Sequence, residues 1–96
     1  MEAVVRTYSG HGARELIELI DKNKAEVERS LRGVKGFAGY ALVRTADGGF
    51  SFTVCHDKAG CEESARIARD WVAKNAAHTK VAAPQITEGA VLIHLT

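Results

Sequence analysis

Along this chain the spacing of apolar positions switches between two periods, and the switches mark its elements. Ala3 to Tyr8 is rich in β-branched residues and ends at Ser9-Gly10-His11-Gly12, which predicts a first strand followed by a loop. From Ala13 to Leu31, Ala13, Leu16, Ile17, Ile20, Val27 and Leu31 recur at helical spacing with charged residues between them. This predicts one amphipathic helix, ended by Gly33. Phe37–Arg44 and Phe50–His56 flank Ala46-Asp47-Gly48-Gly49 and predict a β-hairpin, its glycines supplying the positive φ of a two-residue primed turn. Asp57 is placed to cap a second amphipathic helix, carried by Ala65, Ala68, Trp71, Val72 and Ala76 and ending near Asn75 or His78. Pro84 closes a connector without period, and Ile86 to Leu95 predicts the last strand.

The order is βαββαβ, an α+β arrangement of ferredoxin-like type: a four-stranded antiparallel sheet with two helices on one face. Parity sorts the hairpin. With a two-residue turn, Gly39, Ala41 and Val43 share one face with Phe50, Phe52 and Val54, while Tyr40, Leu42 and Arg44 share the other with Ser51, Thr53 and Cys55. The first set looks like the side that helices cover, together with Val91, Ile93 and Leu95 of the last strand. The second, semi-polar set, with Leu92, is then the bare face, too apolar to stay exposed without a ligand or a second subunit.

Composition narrows the class. A chain of 96 residues, 46% hydrophobic and 26% charged, is expected to fold as one domain spanning residues 1–96. The formal net charge is +1 with signs interleaved, so no global field points to nucleic acid or to an anionic membrane. No apolar run approaches the roughly 18 residues of a membrane span. The N-terminus has no charged n-region and apolar core, and a cytoplasmic location is expected. Cys55 and Cys61 form no disulfide framework. The four histidines, His11, His56, His78 and His94, have no metal-ligand spacing with one another or with the cysteines, so no metal is expected.

Gly36-Phe37-Ala38-Gly39-Tyr40 opening the hairpin, Arg44-Thr45-Ala46-Asp47-Gly48-Gly49 turning it, and Glu63-Ser64-Ala65 through Trp71-Val72 in the second helix give the chain a further likeness. In this order it resembles the dimeric α+β barrel superfamily, and within it the antibiotic-biosynthesis-monooxygenase-like (ABM-like) proteins. The resemblance implies a homodimer in which two sheets face each other, and a small hydrophobic or aromatic ligand held between sheet and helices or in the barrel mouth. It implies a cofactor-independent monooxygenase as one function, with no cofactor, and a non-catalytic structural or regulatory dimer as the other. Haem-degrading members pair an Asn of the first strand with a Trp and a His of the second helix. Here Trp71 lies in the matching element, the first strand has no Asn, and His78 has a different spacing, which disfavours haem degradation.

Candidate ligand-space residues are Tyr8, Tyr40, Arg44 and His94 from the strands and Trp71 from the second helix. Together they would give an aromatic ligand apolar walls and a few polar contacts. Trp71 lies on the apolar stripe of its helix, where core packing is the ordinary role of such a residue. Cys61 near a helix start has the position of a reactive thiol, against the commoner fate of a buried structural one. Gly10-His11-Gly12 lacks the glycine pattern of a dinucleotide loop and the Lys-Ser/Thr of a P-loop, and reads as a turn. An RNA-recognition module shares the βαββαβ order, but no basic residue precedes Gly49 and Cys55 stands where an aromatic is required.

Overall fold

The computed structural model describes residues 1–96. Its elements are β1 (Glu2–Ser9), α1 (Ala13–Lys22), α2 (Lys24–Arg32), β2 (Phe37–Thr45), β3 (Gly48–Cys55), α3 (Lys58–Asn75), a 3-10 turn (Ala77–Thr79) and β4 (Gln85–Ala90). The strands form one antiparallel sheet in the order β2-β3-β1-β4, a ferredoxin-like α+β fold. Each helical crossover joins strands that run in the same direction, β1 to β2 past β3 and β3 to β4 past β1. The right-handedness of such crossovers puts the helices on one side of the sheet.

The expected first helix is two. Asn23 closes α1 with its side-chain amide on the Leu19 carbonyl at 2.7 Å, and its own carbonyl starts α2 by accepting from Glu26 and Val27. An Asn inside a helical stretch competes for backbone groups in this way. The break divides burial unevenly between the two pieces. α1 buries Ala13, Leu16, Ile17 and Ile20, whereas α2 buries only Leu31, so the second helix seals the sheet less completely. α3 starts where expected, with the Asp57 carboxylate accepting from the Gly60 amide at 2.8 Å.

The hairpin closes through a two-residue loop, Ala46-Asp47, between the paired Thr45 and Gly48. The parity of the two arms is therefore as expected, but the turn does not use positive φ at its central residues: Lys80 is the one non-glycine residue with positive φ. Gly48 and Gly49 serve a different purpose. A Cβ on Gly49 would lie 2.9 Å from Cδ1 and Cγ1 of Ile17, and one on Gly48 2.7 Å from Cβ of Ala13. Glycines here let α1 lie directly on the start of β3.

The assignment of faces is reversed. Helices cover the semi-polar face, where Val4, Arg6, Tyr8, Ser51, Thr53 and Cys55 are buried. Of the opposite parity, Ala41, Val43 and Phe52 are exposed and Val5 and Phe50 half-buried, with Val54 buried. Crossover handedness and strand register choose the covered face, and the polarity of a strand has no vote once the buried polar groups fit between helices.

The last strand is shorter than expected. Its ladder with β1 runs to the Glu2–Ala90 pair, with one further bond from the Val91 N–H to the Met1 carbonyl, and β4 ends there. Leu92 (92% exposed), Ile93 and Leu95 (88% exposed) therefore pack against neither the helices nor the sheet, contrary to both places the pattern assigned them.

Candidate functional site

Two apolar clusters hold the helices to the sheet, one at each end. Tyr8, Ala13, Leu16, Ile20 and Ala76 form one, flanked by Leu42, Trp71 and Val72. Val4, Val34, Cys55 and Cys61 form the other, flanked by Phe37 and Ile67. Between Val4 and Tyr8 on β1 comes Arg6, and between Cys55 and Gly49 on β3 come Thr53 and Ser51. The middle of the covered face is thus polar, and there the packing opens.

The opening is an inner chamber of about 50 Å³, lined by Arg6, Tyr8, Tyr40, Ser51, Thr53, Ser64 and Trp71 together with aliphatic side chains of α1, α2 and α3. It has room for a few waters. Ile20, Val27, Leu31, Tyr40 and Leu42 are also walls of a wider cleft of about 540 Å³ between α1, α2 and β2, which reaches Phe37, Lys24 and Arg32. The loose seal of α2 leaves this cleft.

Three buried polar atoms have no hydrogen-bond partner in the protein: a terminal nitrogen of the Arg6 guanidinium, Thr53 Oγ1 and Trp71 Nε1. All three residues line the inner chamber. Buried polar groups are nearly always paired, so three orphans on residues that line one space amount to unused binding capacity. Arg6 is the extreme case. It is 3% exposed, and no carboxylate lies within salt-bridge distance of it. Its cross-strand neighbours are Ser51 and Ile86. Burial holds its pKa below the usual arginine value, Tyr8 opposing this and Arg69 adding to it. Burial raises both phenols, Tyr8 against the pull of Arg6, and Tyr40 with a further push from Tyr8. Both tyrosines are therefore neutral donors at physiological pH.

Of the five residues named from the sequence, Tyr8, Tyr40 and Trp71 meet in this chamber. Arg44 does not. Its guanidinium is exposed, 3.6 Å from the Asp21 carboxylate, and borders a separate surface hollow with Arg14 and Glu18. His94 lies in the exposed segment after β4 and is not among the residues that line the chamber. Sequence reasoning missed Arg6 and Thr53, although a cation between Val4 and Tyr8 in the strand's alternation was the available signal.

Chemistry outside the chamber is sparse. Burial pushes the Cys55 thiol up to about 11 with Cys61 adding to it, and Cys61 is raised by burial too. Neither is a thiolate at neutral pH. His78 pairs with Glu15 at 3.3 Å on the surface. No three His, Cys, Asp or Glu side chains converge in the way a metal ion requires.

No family profile and no curated protein matches the sequence. Solved structures do match. NE2512 from Nitrosomonas europaea, a protein of unknown function, superposes with a TM-score of 0.71 at 18% identity, over 99% of this chain and 91% of that one. MhuD of Mycobacterium tuberculosis, a heme degrader with two hemes bound in its active site, gives 0.64 at 17% identity over 99% and 98% of the two chains. SnoaB of Streptomyces nogalater, a cofactor-independent oxygenase, gives 0.58 at 17% identity over 99% and 94%. The chain shares the ferredoxin-like α+β fold of these proteins. One fold can carry many chemistries, so what this chain does rests on its own chamber. Of the residue types expected for haem degradation, Trp71 alone is in the chamber, with Tyr8 and Arg6 on the first strand and His78 bonded to Glu15 outside.

Proposed function

We propose that this protein is a homodimer that binds a small hydrophobic or aromatic molecule between its sheet and helices. The observation that carries the reading is the coincidence of three unpartnered buried polar atoms with one apolar-walled chamber and its adjoining cleft. The cleft takes the ring system, and the inner chamber takes the polar end, where desolvated donors bind most strongly. Dimerisation supplies the cover for the other side of the sheet. That open face carries Val5, Ala41, Val43, Phe50 and Phe52 and no lysine or arginine, which suits a second copy and gives nothing to a nucleic-acid backbone. Leu92, Ile93 and Leu95 after β4 are further exposed apolar side chains.

If that molecule is turned over, the reaction proposed is cofactor-independent monooxygenation of an aromatic substrate. In it a ring CH₂ becomes C=O while the second oxygen atom of O₂ leaves as water, so the substrate supplies both electrons and both hydrogens. A second reading, binding without turnover in a structural or regulatory dimer, is favoured by one observation. The chamber holds no histidine or carboxylate, and both its tyrosines are shifted upward, so it has no group poised to take a proton near neutral pH. Oxygen consumption with a panel of anthrols and quinols separates the two, and native mass spectrometry of the purified protein tests for a co-purifying ligand. Uptake of oxygen supports the oxygenase; a bound aromatic without turnover supports the second reading; absence of both refutes ligand binding.

A further inference from the structure

We infer that the ligand carries an anionic oxygen on a planar aromatic frame and that Arg6 is its anchor, with Thr53 and Trp71 as flanking hydrogen-bond partners. The inference rests on the proposed small-molecule site and adds the chemical class of the ligand. An arginine stays charged in proteins, so a guanidinium that is 3% exposed must be neutralised by something. Nothing in the chain does this: every ion pair in the molecule lies on the surface, and none includes Arg6. The other residues of the chamber offer hydroxyls and an indole N–H but no negative charge. Arg69, which also acts on Arg6, is a second cation.

A neutral ligand would satisfy the orphan nitrogen and leave the charge uncompensated. An anionic oxygen does both, and the planar fork of a guanidinium matches a carboxylate with two parallel N–H···O bonds, or an ionised phenol or enol with one. Indole N–H is a donor only, and Thr Oγ1 donates or accepts, so both are free to complete the shell of that oxygen. The site is also selective against a neutral analogue, because such a ligand would bury the guanidinium more deeply without pairing it.

The test uses two ligands of one shape, 2-naphthoate and 2-naphthamide, titrated calorimetrically into the full-length protein and into Arg6→Gln and Arg6→Lys. 4-Nitrophenolate added to the panel separates phenolates from carboxylates. Wild type should bind naphthoate roughly ten- to a hundredfold more tightly than naphthamide. Arg6→Gln should abolish that preference through loss of naphthoate affinity, and Arg6→Lys should retain part of it. Equal affinities in the wild type, or naphthoate binding that survives Arg6→Gln, overturns the inference and leaves the small-molecule site standing. Failure of wild type to bind any of the three refutes the site itself, and the inference with it. If Arg6→Gln does not fold, the wild-type preference and its reduction in Arg6→Lys decide the matter.

Discussion

Replacing Arg6 by Met should make the ligand-free protein more stable, which is the reverse of what a core substitution ordinarily does. Arg6 is 3% exposed, one of its terminal nitrogens has no partner, and no acid pairs with it. Methionine keeps an unbranched stem on the same strand position, between Val4 and Tyr8, and deletes the charge. An unsatisfied buried polar group costs about 1–3 kcal/mol, and exchanging buried ionic groups for apolar ones of similar volume has gained roughly 1–4 kcal/mol elsewhere. Some of the gain is lost to imperfect filling of the chamber, so a net of about 1–2 kcal/mol is the reasonable expectation. For a chain of this size each kcal/mol moves the melting temperature by about 4–8 °C. Thermal unfolding followed by circular dichroism, at one fixed protein concentration because assembly adds to apparent stability, should place Arg6→Met at least about 4 °C above wild type. Leu16→Ala, at a fully buried position of α1, gives the comparison and should cost about 2–5 kcal/mol. If Arg6→Met melts below wild type as Leu16→Ala does, Arg6 is held by interactions that favour the fold, and the argument for a waiting anion fails. A residue whose removal stabilises the fold and abolishes binding is one retained for function.

Three further outcomes are expected. Light scattering should give about twice 10.3 kDa for wild type and a folded monomer for Phe52→Asp, while Lys22→Glu leaves the mass unchanged; a Phe52→Asp dimer as tight as wild type would mean that the open face is not the interface. Gly49→Ala should destabilise by about 1–3 kcal/mol in denaturant titration, because its Cβ would crowd the Val43 carbonyl of β2 at 2.5 Å and Ile17 of α1 at 2.9 Å, and a neutral result would mean that the start of β3 is not so tightly enclosed. With pH, the Cys55 thiol is raised by burial from an ordinary value near 9 to about 11, so as pH climbs the unfolded chain releases this proton first. Its contribution to stability is complete below about pH 9 and is lost as pH rises through about 11, with the raised Tyr8 and Tyr40 acting in the same sense. Melting temperature should therefore hold to about pH 9 and fall above it, and Cys55→Ala should shallow the fall; an unchanged slope in that variant removes Cys55 as a cause.

What the sequence determined by itself was much of what depends on neighbours along the chain, the break of the first helix at Asn23 excepted. The βαββαβ order, the parity of the hairpin, the Asp57 cap and the amphipathic stripe of α3 follow from local backbone preferences and from side-chain period, which operate within a few residues. Tyr8, Tyr40 and Trp71 could be named for the same reason: each is a large aromatic at a position whose period points it off an element. The tertiary structure decided which side of the sheet the helices would cover, because crossover handedness and strand register are properties of four strands together. That one decision moved Phe52 and Val43 from the expected core to the surface and brought Arg6, Ser51 and Thr53 inside. It also decided that His94 and Arg44 lie apart from the chamber, since His94 follows the end of β4 at Ala90 and Arg44 lies beside Asp21. A lone arginine among apolar strand residues is visible in the order of residues alone; that it is buried, unpaired and beside two other orphaned polar atoms is a fact about three elements meeting, which only the folded molecule contains.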